Sequence, residues 1–242
     1  MSAILSIQDL QKSFGAVVVA DATSFDVTEG EALGVLGPNG AGKTSLFNLI
    51  TGTLRADAGR IGFAGRDITQ TSAAQRCRQG IARSFQVPQP FGGMTVFENA
   101  LVGATQGAGL RRSDAEAHAL AVLEETGLLP KANVRAGTLT LLERKRLELA
   151  RALSAKPKLL LLDEIAGGLT DAECVALIDT IKRIHAGGTT IIWIEHVVHA
   201  LLAVVQRLVV IDFGKKIAEG DPKTIMDSAE VKEIYLGVDP DV

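Results

Sequence analysis

Gly37-Pro38-Asn39-Gly40-Ala41-Gly42-Lys43-Thr44 constrains this chain more than any other segment. It follows a short apolar run, Ala32-Leu33-Gly34-Val35-Leu36, and leads into Ser45-Leu46-Phe47-Asn48-Leu49-Ile50, whose apolar residues recur at helical spacing. The G-x-x-x-x-G-K-[ST] pattern thus stands in the strand–loop–helix context that gives it meaning. Glycines let the backbone close around an anion, because no Cβ bars the approach and positive φ is open to them. The amides then converge on the concavity, and the N-terminus of the following helix adds positive potential. Gly37 through Ser45 are expected to cradle the phosphates of a nucleoside triphosphate. Lys43 would reach the β- and γ-phosphates, and the Thr44 hydroxyl would ligate Mg²⁺.

At 242 residues the chain is long enough for one large α/β domain or two smaller units. Leu, Ile, Val and Ala dominate and aromatics are few, which suits strands covered by helices on both faces. A net charge of −3 and the lack of a dense Lys/Arg block argue against a nucleic-acid partner. Cys77 and Cys174 lack metal-ligand spacing and read as small residues in a reducing compartment. The N-terminal residues, Met1 to Asp9, lack the basic and long apolar regions of a signal peptide. The best candidate span, Ala200 to Val210, is too short for a bilayer and carries Gln206 and Arg207. These features predict a cytosolic chain and leave docking on a membrane protein open.

Strands are expected at 3–9, 24–28 and 32–36, with the helix of the phosphate loop over 43–52. A strand near 60–64 and a polar segment through Gln79 lead to a strand at 81–85. The tract from Val87 to Gly93, rich in Pro and Gly, reads as a loop. Helical patterns follow at 95–104, 113–127 and 143–154. Leu159-Leu160-Leu161-Leu162-Asp163 reads as a buried parallel strand. Helix 171–185, strand 189–195, helix 197–205, strands 207–213 and 215–219, and helices 222–227 and 229–236 complete the reading. The pattern predicts an α/β core interrupted by a mostly helical insertion over about 87–155.

Asp163 and Glu164 close the apolar strand. A carboxylate at that end of a parallel strand is suited to hold Mg²⁺, directly or through water. Glu164 beside it is suited to polarise a water for in-line attack on the γ-phosphate. His196 follows the strand Ile192-Trp193-Ile194-Glu195, where a γ-phosphate contact is geometrically reasonable, and Gln86 ends the strand at 81–85.

This order of parts resembles the ATP-binding subunit of ABC transporters over nearly the whole chain. Residues 37–44 match the Walker A loop of that family, Gln86 its Q-loop, and Asp163 and Glu164 its Walker B acids. Phe14, in Ser13-Phe14-Gly15, matches the aromatic that stacks on adenine. Gly167-Gly168-Leu169-Thr170-Asp171 occupies the D-loop position, and His196 matches the switch histidine. Met94-Thr95-Val96-Phe97-Glu98-Asn99, Ala218-Glu219-Gly220-Asp221-Pro222 and Ile234-Tyr235-Leu236-Gly237 resemble the branched-chain (hydrophobic) amino-acid uptake subfamily. The resemblance implies a single ABC ATPase domain over 1–242. Its P-loop NTPase (RecA-like) core with N-terminal antiparallel strands would span 1–86 and 156–242, with the helical subdomain over 87–155.

The family's Leu-Ser-Gly-Gly-Gln signature falls on Leu139-Thr140-Leu141-Leu142-Glu143, where both glycines are Leu. Leu disfavours positive φ and adds bulk, while the helix-start amides and the Thr140 hydroxyl remain to contact nucleotide. The same residues also spell a capping box, Thr140 as N-cap with Glu143 three positions on. Both readings stand at this point.

The implied activity is Mg²⁺-dependent ATP hydrolysis by Lys43, Glu164, His196 and Gln86, with Thr44, Gln86 and Asp163 at the metal. The implied partners are a second nucleotide-binding subunit, identical or related, and transmembrane permease subunits. A periplasmic or extracellular substrate-binding protein would act indirectly. The expected location is peripheral, on the cytoplasmic face of the membrane. The alternatives are a regulatory subunit with weak hydrolysis, motivated by the signature leucines, and a lipopolysaccharide-export ATPase. A translation-associated relative fits less well, since such proteins usually carry two of these domains or added basic segments.

Overall fold

The computed structural model describes residues 3–236. They fall into two compact units, one of residues 3–72 with 190–236 and one of Ala73–Thr189. Met1, Ser2 and Gly237 of the sequence motifs lie outside the described residues.

The first unit opens with a long hairpin, β1 (Ala3–Phe14) and β2 (Val17–Thr28). β3 (Ala32–Leu36) then leads to α1 (Lys43–Thr51), and β4 (Ala58–Phe63) and β5 (Arg66–Asp67) follow. β2, β1, β4 and β5 form an antiparallel sheet in that order. β3 is flanked in parallel by two strands from the later part of the chain, β8 (Thr190–Ile194) and β9 (Arg207–Asp212). β10 (Lys215–Gly220) closes antiparallel on β9. Every residue of β3 and β8 is buried, which is why both read as unbroken apolar runs rather than alternating ones. Three short helices, α7 (Val198–Leu202), α8 (Pro222–Asp227) and α9 (Ala229–Leu236), complete this unit.

β1 and β2 run well past the expected 3–9 and 24–28. The reason is local. Asp9 and Ala22 have φ of 45° and 49°, and the β1–β2 register shifts between Ile7 and Leu10. A bulge changes which face each later side chain takes, so a period-of-two pattern stops there although the strand continues.

The second unit starts with α2 (Ala73–Gln79) and β6 (Ile81–Arg83). α3 (Val96–Val102) continues as a π turn over Gly103–Gly107 and is followed by α4 (Arg112–Glu125) and α5 (Leu141–Ser154). β7 (Leu159–Asp163) and α6 (Asp171–Ala186) complete it. β6 and β7 pair in parallel, with Arg83 opposite Leu161, and α3, α4 and α5 pack on one another. α2 forms within the stretch read as a polar segment; its Arg76 is 2% exposed, so the inward face is not purely apolar in composition. The expected strand at 81–85 stops at Arg83, and Phe85 and Gln86 are exposed. Among the described residues no helix is long and apolar enough to cross a membrane.

Candidate active site

In the first unit, the loop between β3 and α1 has the shape its sequence requires. Gly40 and Gly42 lie in the left-handed region, at φ of 84° and 101°. A Cβ on Gly42 would stand 2.3 Å from the Val19 carbonyl oxygen, so its lack of a side chain is needed for space as well as conformation. Lys43 begins α1 and is 5% exposed. Its ammonium donates to the carbonyl oxygens of Gly37 at 2.6 Å and Pro38 at 3.0 Å, holding the loop closed on itself. Thr44 and Ser45 follow in the first turn of α1, with Thr44 exposed. Phe14 ends β1 half-exposed, with the Lys12 ammonium 5.2 Å from its ring centre. His196, just past β8, is exposed; its backbone N–H donates to the buried Glu195 carboxylate at 3.0 Å.

The second unit brings Gln86, Asp163 and Glu164 together. Gln86 Nε2 donates to Glu164 Oε2, and Arg83 in β6 pairs with Asp163 Oδ2. The Asp163 N–H points to the Ser84 hydroxyl at 3.4 Å. Asp163 Oδ1 is buried and has no hydrogen-bond partner. A buried carboxylate oxygen without a donor fits a cation or a cation-bound water. Among the described residues no group of three His, Cys, Asp or Glu side chains is placed to hold a metal. A cation here would therefore draw on phosphate and water, as Mg²⁺ usually does. Glu164 itself has φ of 46°, an uncommon backbone for a non-glycine residue. The Lys145 ammonium of α5, 4% exposed, donates to the Glu164 carbonyl at 3.3 Å.

At the start of α5 the capping box forms. Thr140 Oγ1 accepts from the Glu143 N–H at 3.4 Å, and Glu143 Oε2 accepts from the Thr140 N–H at 2.9 Å. That backbone donor, with Lys131 at 3.0 Å, lowers the Glu143 carboxyl below its ordinary range. Leu141 is 47% exposed at the helix tip, and Leu142 is half-buried. Arg144 secures the preceding turn through the carbonyls of Leu139 and Gly137. In the D-loop segment Thr170 caps α6 in the same manner, with Glu173.

A family model described as ABC transporter matches residues 20–167. The chain belongs to this family. Among ABC relatives, the high-affinity branched-chain amino acid transport ATP-binding protein BraF of Pseudomonas aeruginosa is 35% identical, with 97% of this chain and 98% of that protein covered. LivG of Salmonella typhimurium, a high-affinity branched-chain amino acid transport ATP-binding protein, is 34% identical over the same shares. The ADP conformation of MJ1267, an ATP-binding cassette of an ABC transporter, superposes with a TM-score of 0.90 at 33% identity. That match covers 98% of this chain and all of the other. A nucleotide-free ATP-binding cassette from an ABC transporter gives 0.88 at 32%, with 98% and 100% covered.

Two ABC-site neighbours, Arg83 and Lys145, were not singled out from the sequence. Arg83 is the last residue of β6 and Lys145 lies in the second turn of α5, and basic residues are commonplace at such places. Their burial against Asp163 and Glu164 is set by pairing across long sequence separations, which no local pattern carries.

Proposed function

We propose that this chain is the ATP-hydrolysing subunit of a membrane importer for branched-chain or related hydrophobic amino acids. The observation that carries the proposal is the end-to-end match, 97% of this chain and 98% of the relative, to proteins named for that transport. Lys43 and the loop amides bind the phosphates of ATP, and Phe14 stacks on the base. Thr44, Asp163 and Gln86 would hold Mg²⁺, which would supply charge neutralisation at the phosphates. Glu164 takes the proton of the attacking water, and its bond from Gln86 Nε2 fixes the carboxylate. His196 contacts the γ-phosphate. Two such subunits close over ATP, and hydrolysis removes the contact that favours the closed state. Permease subunits receive that change through the segment after Gln86, and a binding protein outside the membrane delivers cargo to them. The core over 1–86 and 156–242 and the helical subdomain over 87–155 would move as the two parts of this switch. Tagged chain expressed in its own cells should bring down a permease whose reconstituted form takes up leucine, isoleucine or valine on addition of ATP and Mg²⁺. Co-purification of a lipid-export permease would replace the cargo assignment and leave the ATPase reading standing.

One observation favours a second reading, a nucleotide-binding subunit with weak hydrolysis: Leu141 and Leu142 replace the signature glycines. The Thr140 oxygen is already engaged by its own helix. We favour a working variant, because both acids and His196 are in place. Leu141→Gly with Leu142→Gly is therefore expected to leave phosphate release at or below that of the unsubstituted chain. It should also cost about 1 kcal/mol or more of stability, since Gly is a poor helix former. A several-fold activation would instead identify the natural motif as impaired.

A further inference from the structure

Asp163 is held on two sides. Its Oδ2 faces the Arg83 guanidinium, its N–H faces the Ser84 hydroxyl, and its Oδ1 is buried without a partner. The Arg83 and Asp163 side chains are 5% and 3% exposed, so this pair is withdrawn from water. The guanidinium also lies 5.0 Å from the centre of the Phe85 ring, a cation–π contact that limits its rotation. Both anchors come from β6 and the two residues after it, while Asp163 ends β7, its parallel neighbour. One carboxylate oxygen is thereby used by the protein, and the other is kept available at a fixed angle.

We propose that Arg83 is the positioning residue of Asp163, engaging Oδ2 so that Oδ1 is presented to the divalent cation that accompanies bound nucleotide. The proposal rests on the reading of Asp163 as the metal-binding acid. Arg83 does not touch the cation; it acts through the carboxylate, as outer partners of metal ligands do. A planar guanidinium suits this task better than an ammonium, because its donors are fixed relative to the stacked plane. A pair with only a structural role would affect the stability of the fold and leave the linkage between metal and nucleotide untouched.

That linkage is the measurement. Binding of a non-hydrolysable ATP analogue to the full chain is followed with Mg²⁺ and with chelator, and the ratio of the two dissociation constants is taken. Arg83→Gln should lower the ratio about tenfold, the smaller end of the usual effect of such outer partners, with the chelator value unchanged within about twofold. Arg83→Lys, which keeps a charge on Asp163 but loses the plane, should fall between. It carries the test if the Gln variant does not fold, and a Lys variant with the full ratio then overturns the proposal. Asp163→Asn should lower the ratio, and adding Arg83→Gln to it should lower it no further. The double variant leaves no buried charge unpaired, so it is also the safer one to fold. An unchanged ratio in folded Arg83→Gln, or a further loss in the Asp163→Asn background, overturns the proposal. A full ratio in Asp163→Asn alone removes Asp163 from the metal site, and the role of Arg83 falls with it.

Discussion

Glu164→Gln is expected to lower steady-state phosphate release by about 10²- to 10⁴-fold, the contribution of a positioned general base. The reason for expecting so clean a loss is the way Glu164 is held. Its backbone is bonded through the carbonyl, to Lys145 at 3.3 Å, and substitution leaves that atom in place. Its side chain accepts from Gln86 Nε2, and a Gln amide oxygen accepts equally well. Both anchors therefore survive, while the negative charge and the capacity to take a proton from water are removed. Affinity for ATP should stay within about twofold, since uniform binding does not depend on the base. Phosphate release and equilibrium nucleotide binding on the same preparation check both halves. Unchanged turnover with intact binding would take the base role away from Glu164.

The parts legible in the sequence are those whose physics is local. The phosphate loop declares itself because a backbone wrapped on an anion needs glycine at fixed places. In the structure Gly42 has both the positive φ and the crowding by Val19 that demand it. Asp163 and Glu164 were legible as acids ending an apolar strand. The α/β class was legible in β3, β7 and β8, buried at every position. What escaped depends on distant partners. The Arg83–Asp163 pair joins residues 80 positions apart, and the inward turn of Arg76 in α2 has no pattern of its own. Thr140 is instructive in a different way. Four residues spelled both a helix cap and a nucleotide contact, and the cap needs only its own helix, whereas the contact needs a bound nucleotide. The cap is what a single chain forms.

Lys43→Met should weaken binding of ATP by about 10- to 100-fold, and the argument turns on where the ammonium lies without nucleotide. It is 5% exposed and spends its donors on the carbonyls of Gly37 and Pro38. An ammonium has three donors, so a phosphate oxygen is met by turning one of them from its present acceptor to the nucleotide. Hydrogen bonds to charged groups contribute about 1.5–3 kcal/mol net. That is about 10- to 100-fold in affinity, at about 1.4 kcal/mol for each factor of ten. Methionine keeps the length and apolar body of the stem, so α1 should still pack through Leu46, Phe47, Leu49 and Ile50, all buried. The loss should depend on the length of the phosphate chain. ATP, which offers the β- and γ-phosphates, should suffer fully. AMP, which on the proposed reading relies on Phe14 for its base and on the loop amides for its one phosphate, should bind as before. Titrating ATP, ADP and AMP against the variant separates a missing charge from a collapsed loop. An equal loss for all three would mean that Lys43 acts chiefly by tying Gly37 and Pro38 together, and its place on the β- and γ-phosphates would have to be given up.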